Sequence, residues 1–168
     1  MSNYSTLEIQ SIAIFVILAF YLIFKIRAFY KSIRNRSLLH RNRSIKRLKK
    51  LSWNDFERLC MELFKKKGWT VLGNEKKGAD GGVDIWMKKN SLRKKTSAIV
   101  QCKRYEDALV TIKVIREMYG LMYEYDADEV YVVTTSRFTK ECYKFIEDKN
   151  IFLIDGEKLV KMIDQSSS

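Results

Sequence analysis

The segment GADGGVDI (Gly78 to Ile85) and the triplet Gln101-Cys102-Lys103 hold the residues of this chain best suited to chemistry. Asp84 offers a carboxylate, Gln101 an amide acceptor and Lys103 an ammonium. Metal-dependent phosphodiester cleavage uses such groups to hold a cation and to offset charge at phosphorus. The triplet closes an apolar run, SAIVQCK. Side chains alternate along a strand, so Gln101 and Lys103 project one way, Val100 and Cys102 the other. Packing alone gives little reason for a polar-x-cation pair there. A β-hairpin joining the two segments brings Asp84 to both.

Competing chemistries are few. The single histidine, His40, lies outside the region that carries these motifs, so that region lacks the base of a Ser-His-Asp or Cys-His triad. Cys60, Cys102 and Cys142 have no CxxC spacing, which argues against a zinc site or a disulfide framework and for reduced, buried thiols. Carboxylate, lysine and a metal ion remain. Each residue also has a plainer role open to it. Asp80 and the glycines around it suit a turn, Gln101 and Lys103 could be exposed strand residues, and Glu57 could be one more surface glutamate. Thr134, Thr135 and Ser136 could donate to phosphates or close a turn. Trp53, Trp69 and Trp86 are assigned to packing.

The elements that must position these residues are legible from periodicity. Ser52 with Asp55 three residues on starts a helix, and Phe56, Leu59, Cys60, Leu63 and Phe64 follow at helical spacing until Gly68. Glu57 sits at the flank of that stripe. Strands are expected at Trp69 to Leu72, Val83 to Lys88 and Ser97 to Lys103. A helix marked by Ile112, Ile115, Tyr119 and Met122 leads to a strand at Val130 to Thr135. Cys142, Phe145 and Ile146 mark the next helix, Ile151 to Ile154 the last strand, and Leu159 to Ile163 the last helix. The order αβββαβαβα predicts an α/β fold with a mixed sheet flanked by helices.

Ahead of this region the chain changes character. Residues 1 to 24 carry one charge, Glu8, and residues 25 to 50 carry eleven Lys or Arg and no acid. Leu7 to Tyr30 supplies the ~20 residues that a helix rising ~1.5 Å per residue needs to cross a bilayer core of roughly 30 Å. Lys25 and Arg27 would snorkel. The basic residues follow the apolar run, which suits a single transmembrane helix and not a cleaved signal peptide, and the positive-inside rule puts the C-terminal part in the cytoplasm. The expected organisation is an anchor at 1–30, a basic juxtamembrane connector at 31–50, a folded domain at 51–164 and a tail at 165–168. The connector reads first as a stop-transfer flank, and the sharper alternative is a surface that also holds anionic lipid or nucleic acid. Leu38, Leu39, Ile45, Leu48 and Leu51 also permit an interfacial helix over part of it.

WNDFERLCMELFKKKGW (Trp53 to Trp69), GADGGVDI, VQCKRY (Val100 to Tyr105), VVTTSRFT (Val132 to Thr139) and IFLIDGEKL (Ile151 to Leu159) together resemble the Mrr-like restriction endonuclease domain of the PD-(D/E)XK nuclease superfamily. The resemblance implies a restriction-endonuclease-like fold with Asp84 as the metal-binding aspartate, Gln101 in the place usually held by Asp or Glu, Lys103 as the motif lysine and Glu57 as the additional acidic residue. Val83 stands where the motif has proline. The implied ligands of Mg²⁺, or of Mn²⁺ in its place, are Asp84, Gln101, the Cys102 backbone carbonyl and Glu57. The implied activity is DNA endonuclease hydrolysis in restriction or defence, reaching both strands through a homodimer or another partner. The contrasting expectation is a binding or membrane-scaffolding module that keeps the fold without turnover.

Overall fold

The computed structural model describes residues 6–72, 82–91 and 94–166. The chain divides into two units, Met1–Ser37 and Leu38–Ser168. Most of helix α1 (Thr6–Arg41) forms the first. Its stretch Ile12–Tyr30, 19 residues of mean hydropathy 2.3, is long and apolar enough to cross a membrane. Its apolar side chains, Phe15, Ile17 and Phe24 among them, are exposed.

The second unit runs α2 (Ile45–Lys49), α3 (Trp53–Lys66), β1 (Thr70–Leu72), β2 (Ile85–Asn90), β3 (Lys95–Lys103), α4 (Ile112–Glu124), β4 (Glu129–Thr134), α5 (Lys140–Phe145), β5 (Ile151–Ile154) and α6 (Gly156–Ser166). One sheet has the order β1-β2-β3-β4-β5. The first three strands pair antiparallel and the last three parallel. From α3 onward the order of elements is the expected one, with ends shifted by one or two residues at most strands. Asp84 therefore stands just before β2 and not within it.

The two faces of the sheet are filled by different helices. Val100 and Cys102 of β3 pack with Phe56, Leu59, Cys60 and Leu63 of α3 and Leu159 and Ile163 of α6. Ile99, on the opposite face, packs with Ile115 and Met118 of α4 and Cys142 of α5. This is the strand alternation expected of SAIVQCK, with apolar neighbours on both faces because helices cover both. The Ser52 hydroxyl accepts from the Asp55 amide at 3.1 Å and donates to its carboxylate at 2.8 Å, which fixes the start of α3. Gly68, at φ +85, ends it, and the Trp69 amide turns back to the Phe64 carbonyl at 3.1 Å.

Three features depart from expectation. The folded unit begins at Leu38, so about two thirds of the expected connector belongs to it: Leu39 and Leu48 are fully buried in the same cluster as α3 and α6, and Ser44 caps α2. The apolar spacing there serves the protein core. At the other end α6 includes Gln165 and Ser166, residues assigned to the tail. Trp53, the first residue of α3, is 44% exposed and is no core residue, whereas Trp69 is buried against Tyr131. Asp80 with Gly73, Gly78 and Gly81, for which a turn is expected, lies outside the described residues, as do Ser167 and Ser168.

If Leu48 is part of the core, Leu48→Ala should destabilise the second unit by about 2 to 5 kcal/mol, as buried leucine truncations do. Denaturant unfolding of the full chain measures this. A loss below about 0.5 kcal/mol, the range of an exposed substitution, would remove α2 from the folded unit.

Candidate active site

The carboxyl end of β3 carries the site. The β2–β3 register continues from Ile85↔Val100 to set Asp84 opposite Gln101, and the Asp84 amide donates to the Val100 carbonyl at 2.9 Å. Asp84 Oδ2 accepts from Gln101 Nε2 at 2.5 Å and from the Cys102 amide at 2.6 Å. The aspartate is thus held by both the side chain and the main chain of the strand it faces. Asp84 is 8% exposed and Gln101 4%.

Glu57 comes from the other side of the sheet. It lies one turn before Cys60 on α3, is 5% exposed, and its side chain is near enough to Asp84 to lower that carboxyl's pKa. Its position at the edge of the apolar stripe turns it toward the rim of the sheet. Burial pushes the Asp84 carboxyl above its ordinary value. The Cys102 amide, the Lys103 ammonium, the Glu57 carboxyl and the Gln101 amide each offset part of that rise. Two carboxyls in one poorly solvated place cannot both ionise cheaply with a single lysine beside them, so they favour a shared proton or a cation.

The donor set suits a hard divalent cation. It comprises the Asp84 and Glu57 carboxylates, the Gln101 amide carbonyl and the main-chain carbonyl of Cys102. Strand carbonyls alternate in direction. Val100 O accepts from Asp84 while Lys103 O accepts from the Thr135 amide at 3.4 Å, so the Cys102 carbonyl lies on the Asp84 side of β3. In the present rotamer Gln101 turns Nε2 to Asp84, and a half-turn of the amide presents Oε1 instead. Among the described residues no three His, Cys, Asp or Glu side chains group to hold a metal. The amide and main-chain oxygens would have to complete such a site, together with water and substrate oxygens, which is the habit of magnesium.

Neighbouring groups are structural. The Cys102 thiol is fully buried, and its hydrogen bond with the Cys60 thiol, with desolvation, pushes its pKa up, so it is no nucleophile. Thr134 Oγ1 donates to Lys103 O at 2.8 Å and Thr135 Oγ1 to Tyr105 O at 2.6 Å. These hydroxyls fasten the loop after β3 and are not free for phosphates. Sequence reasoning missed two neighbours. Gly82 has φ +60, and a Cβ there would meet Leu121 Cδ1 at 3.0 Å, Glu117 Oε1 at 3.1 Å and Gln101 Oε1 at 4.0 Å. α4 thus brings Glu117 close to the site across a glycine that only a glycine can replace without strain. Periodicity marked Ile112, Ile115, Tyr119 and Met122 as the apolar face of this helix but carries no sign of a contact between positions 35 residues apart.

Residues 48–163 match the Mrr_cat family, described as "Restriction endonuclease". The match covers well over half of the chain. The chain belongs to this restriction endonuclease family. Among solved structures, this family member is similar to the DNA modification-dependent restriction endonuclease AspBHI, with TM-score 0.55 and 14% identity over 80% of this chain and 36% of that one. Another similar structure is the MspJI restriction endonuclease in complex with a 27-mer oligonucleotide, with TM-score 0.41 and 18% identity over 84% of this chain and 30% of that one. The chain spans about a third of the length of each. AspBHI supports the restriction-endonuclease-like fold. No curated protein matches the chain.

Proposed function

We propose that this chain is a membrane-anchored, magnesium-dependent DNA endonuclease of restriction or defence, with Asp84, Glu57, Gln101 and Lys103 as its working residues and manganese as a usable substitute. The observation that carries the proposal is the buried Asp84–Glu57 carboxyl pair, held by Gln101 and the Cys102 amide at the carboxyl end of β3 and charge-balanced by one lysine. Family membership supplies the substrate class.

Asp84, Glu57, Gln101 and the Cys102 carbonyl would hold the ion. Magnesium, when bound, supplies Lewis-acid stabilisation of charge on the phosphoryl oxygens and lowers the pKa of water at the site. Cys102 N keeps Asp84 aimed by its hydrogen bond, which removes the reorganisation that a surface carboxylate would need. Lys103, projecting on the Gln101 face, places a compact ammonium beside the phosphate being cleaved. Glu57, buried near Asp84, would bind the ion directly or through water.

Ile12–Tyr30 would anchor the chain as a single span, the lysines and arginines of residues 25–37 holding the cytoplasmic side. Cutting both strands of a duplex would require a second copy or another partner, since one such site handles one phosphodiester at a time.

The test uses the full chain in lipid nanodiscs with plasmid and linear duplex DNA, including DNA carrying modified bases. Cleavage should appear with Mg²⁺ or Mn²⁺ and disappear in EDTA. Cleavage undiminished by EDTA, or DNA left intact at every metal concentration, would contradict the proposal.

A further inference from the structure

We propose that Lys46 and Lys49 of α2, with Lys50 at its C-cap and Arg104, form a tract that binds the sugar–phosphate backbone of the DNA on which the domain acts. The inference rests on the nuclease reading for its substrate, but its geometry stands alone. These four residues line an open groove of about 780 Å³ together with Glu106 and Asp107. Arg104 directly follows Lys103, and its Nη1 donates to the Lys49 main-chain carbonyl at 2.8 Å. The basic helix is therefore tied to the residue next to the candidate catalytic lysine.

The acids do not cancel the tract. Lys49 pairs with Asp107 at 2.9 Å and Arg104 with Glu106 at 3.7 Å, while Lys46 and Lys50 have no ion pair among the described residues. Both acids are largely exposed, so their pairs are weak and exchangeable for phosphate. The folded unit also carries far more positive charge than an unattached connector would leave it. From Leu38 onward there are 27 Lys and Arg against 19 Asp and Glu, a net +8. Such a balance attracts a polyanion.

An anionic lipid surface is the other anion that a basic helix meets, and the packing disfavours it. Interfacial helices insert an apolar face between headgroups. α2 has spent its apolar residues: Leu48 is fully buried in the core, and Ile45 is half-buried, its Cγ1 3.6 Å from the position of a Cβ on Gly156. What α2 leaves to solvent is a row of cations over a concave groove, which suits a backbone running along it more than a planar bilayer.

The test compares the full chain with Lys46→Ala/Lys49→Ala/Lys50→Ala, in nanodiscs of neutral phosphatidylcholine and in discs that also contain phosphatidylserine, by DNA-binding isotherms at several salt concentrations in EDTA. Each lost phosphate contact lowers the slope of log K against log salt by about 0.9, so the variant should lose roughly 2 to 3 from the slope and bind at least about tenfold more weakly near 0.15 M salt. A wild-type slope in the variant overturns the proposal. So does an effect seen only in discs containing phosphatidylserine, which would assign the lysines to lipid. A reduced slope in a chain that binds DNA and never cleaves it sustains the tract and sinks the nuclease reading alone.

Discussion

Asp84→Asn is expected to lower DNA cleavage by about a thousandfold or more, the scale of losing a metal-binding group at a hydrolytic centre, while making the metal-free protein more stable. Both effects have one cause. Burial raises the pKa of Asp84, so the folded chain prefers the carboxyl protonated. Its contribution to stability is fully present below the ordinary aspartate range and is lost as pH rises through the raised folded value. Ionised, the wild-type carboxylate stands in a place suited to a cation, with Glu57 beside it. Asparagine keeps the shape and an acceptor for the Cys102 amide, without the charge. The variant should therefore melt a few degrees higher than the wild type at pH 7 without metal, and the gap should close near pH 3. Adding Mg²⁺ should narrow the gap at neutral pH by stabilising only the wild type. Thermal unfolding of the full chain across pH, with parallel cleavage assays, measures both. An inactive variant that is less stable at every pH would mean that Asp84 is a structural residue whose loss damages the fold.

Lys103→Met carries the second large effect. Its single-turnover cleavage should fall by about 10² to 10³, the usual loss when one preorganised electrostatic group is removed from an active site. DNA affinity should change little. Metal affinity should hold or weaken only slightly: Lys103 lowers the Asp84 pKa, so its loss disfavours the ionised ligand, yet it also removes a cation beside the ion. Lys103→Arg should restore only part of the rate, since a planar guanidinium cannot take the place of a compact ammonium at the end of a nearly buried strand. A rate for Lys103→Met within a few-fold of wild type would remove the lysine from the chemistry and leave it a strand-end charge.

How much of this was legible depended on the range over which each signal acts. The opposed directions of Gln101 and Cys102 follow from the two-residue strand period, and the structure divides their neighbours between two sheet faces as that period requires. The turn at Gly68 and the cap at Ser52 are equally local. Glu57 was only half legible: its place beside the apolar stripe of α3 is in the pattern, but its contact with Asp84 depends on how α3 crosses the sheet. Leu39 and Leu48 were misread for a different reason. Leucines among arginines and lysines fit a lipid interface and a protein core alike, and only the tertiary packing of α2 beside α6 tells them apart. The charge assignment changed with them, because six of the eleven cations of residues 25–50 belong to the folded unit. Trp53 shows the converse, a large aromatic side chain left exposed at a helix start. For Thr134 and Thr135 the sequence left phosphate donation and a turn role open, and their hydroxyls fasten the loop after β3.

The central claim is that the Asp84–Glu57 carboxyl pair is a cation site. Titration of the full chain with Mn²⁺, followed by electron paramagnetic resonance in the presence of duplex DNA, tests it most directly. The account predicts one bound ion per chain in the wild type, weaker binding in Glu57→Gln, and none in Asp84→Asn, with affinity falling as pH drops through the raised Asp84 value. Equal Mn²⁺ occupancy in the wild type and Asp84→Asn would contradict it.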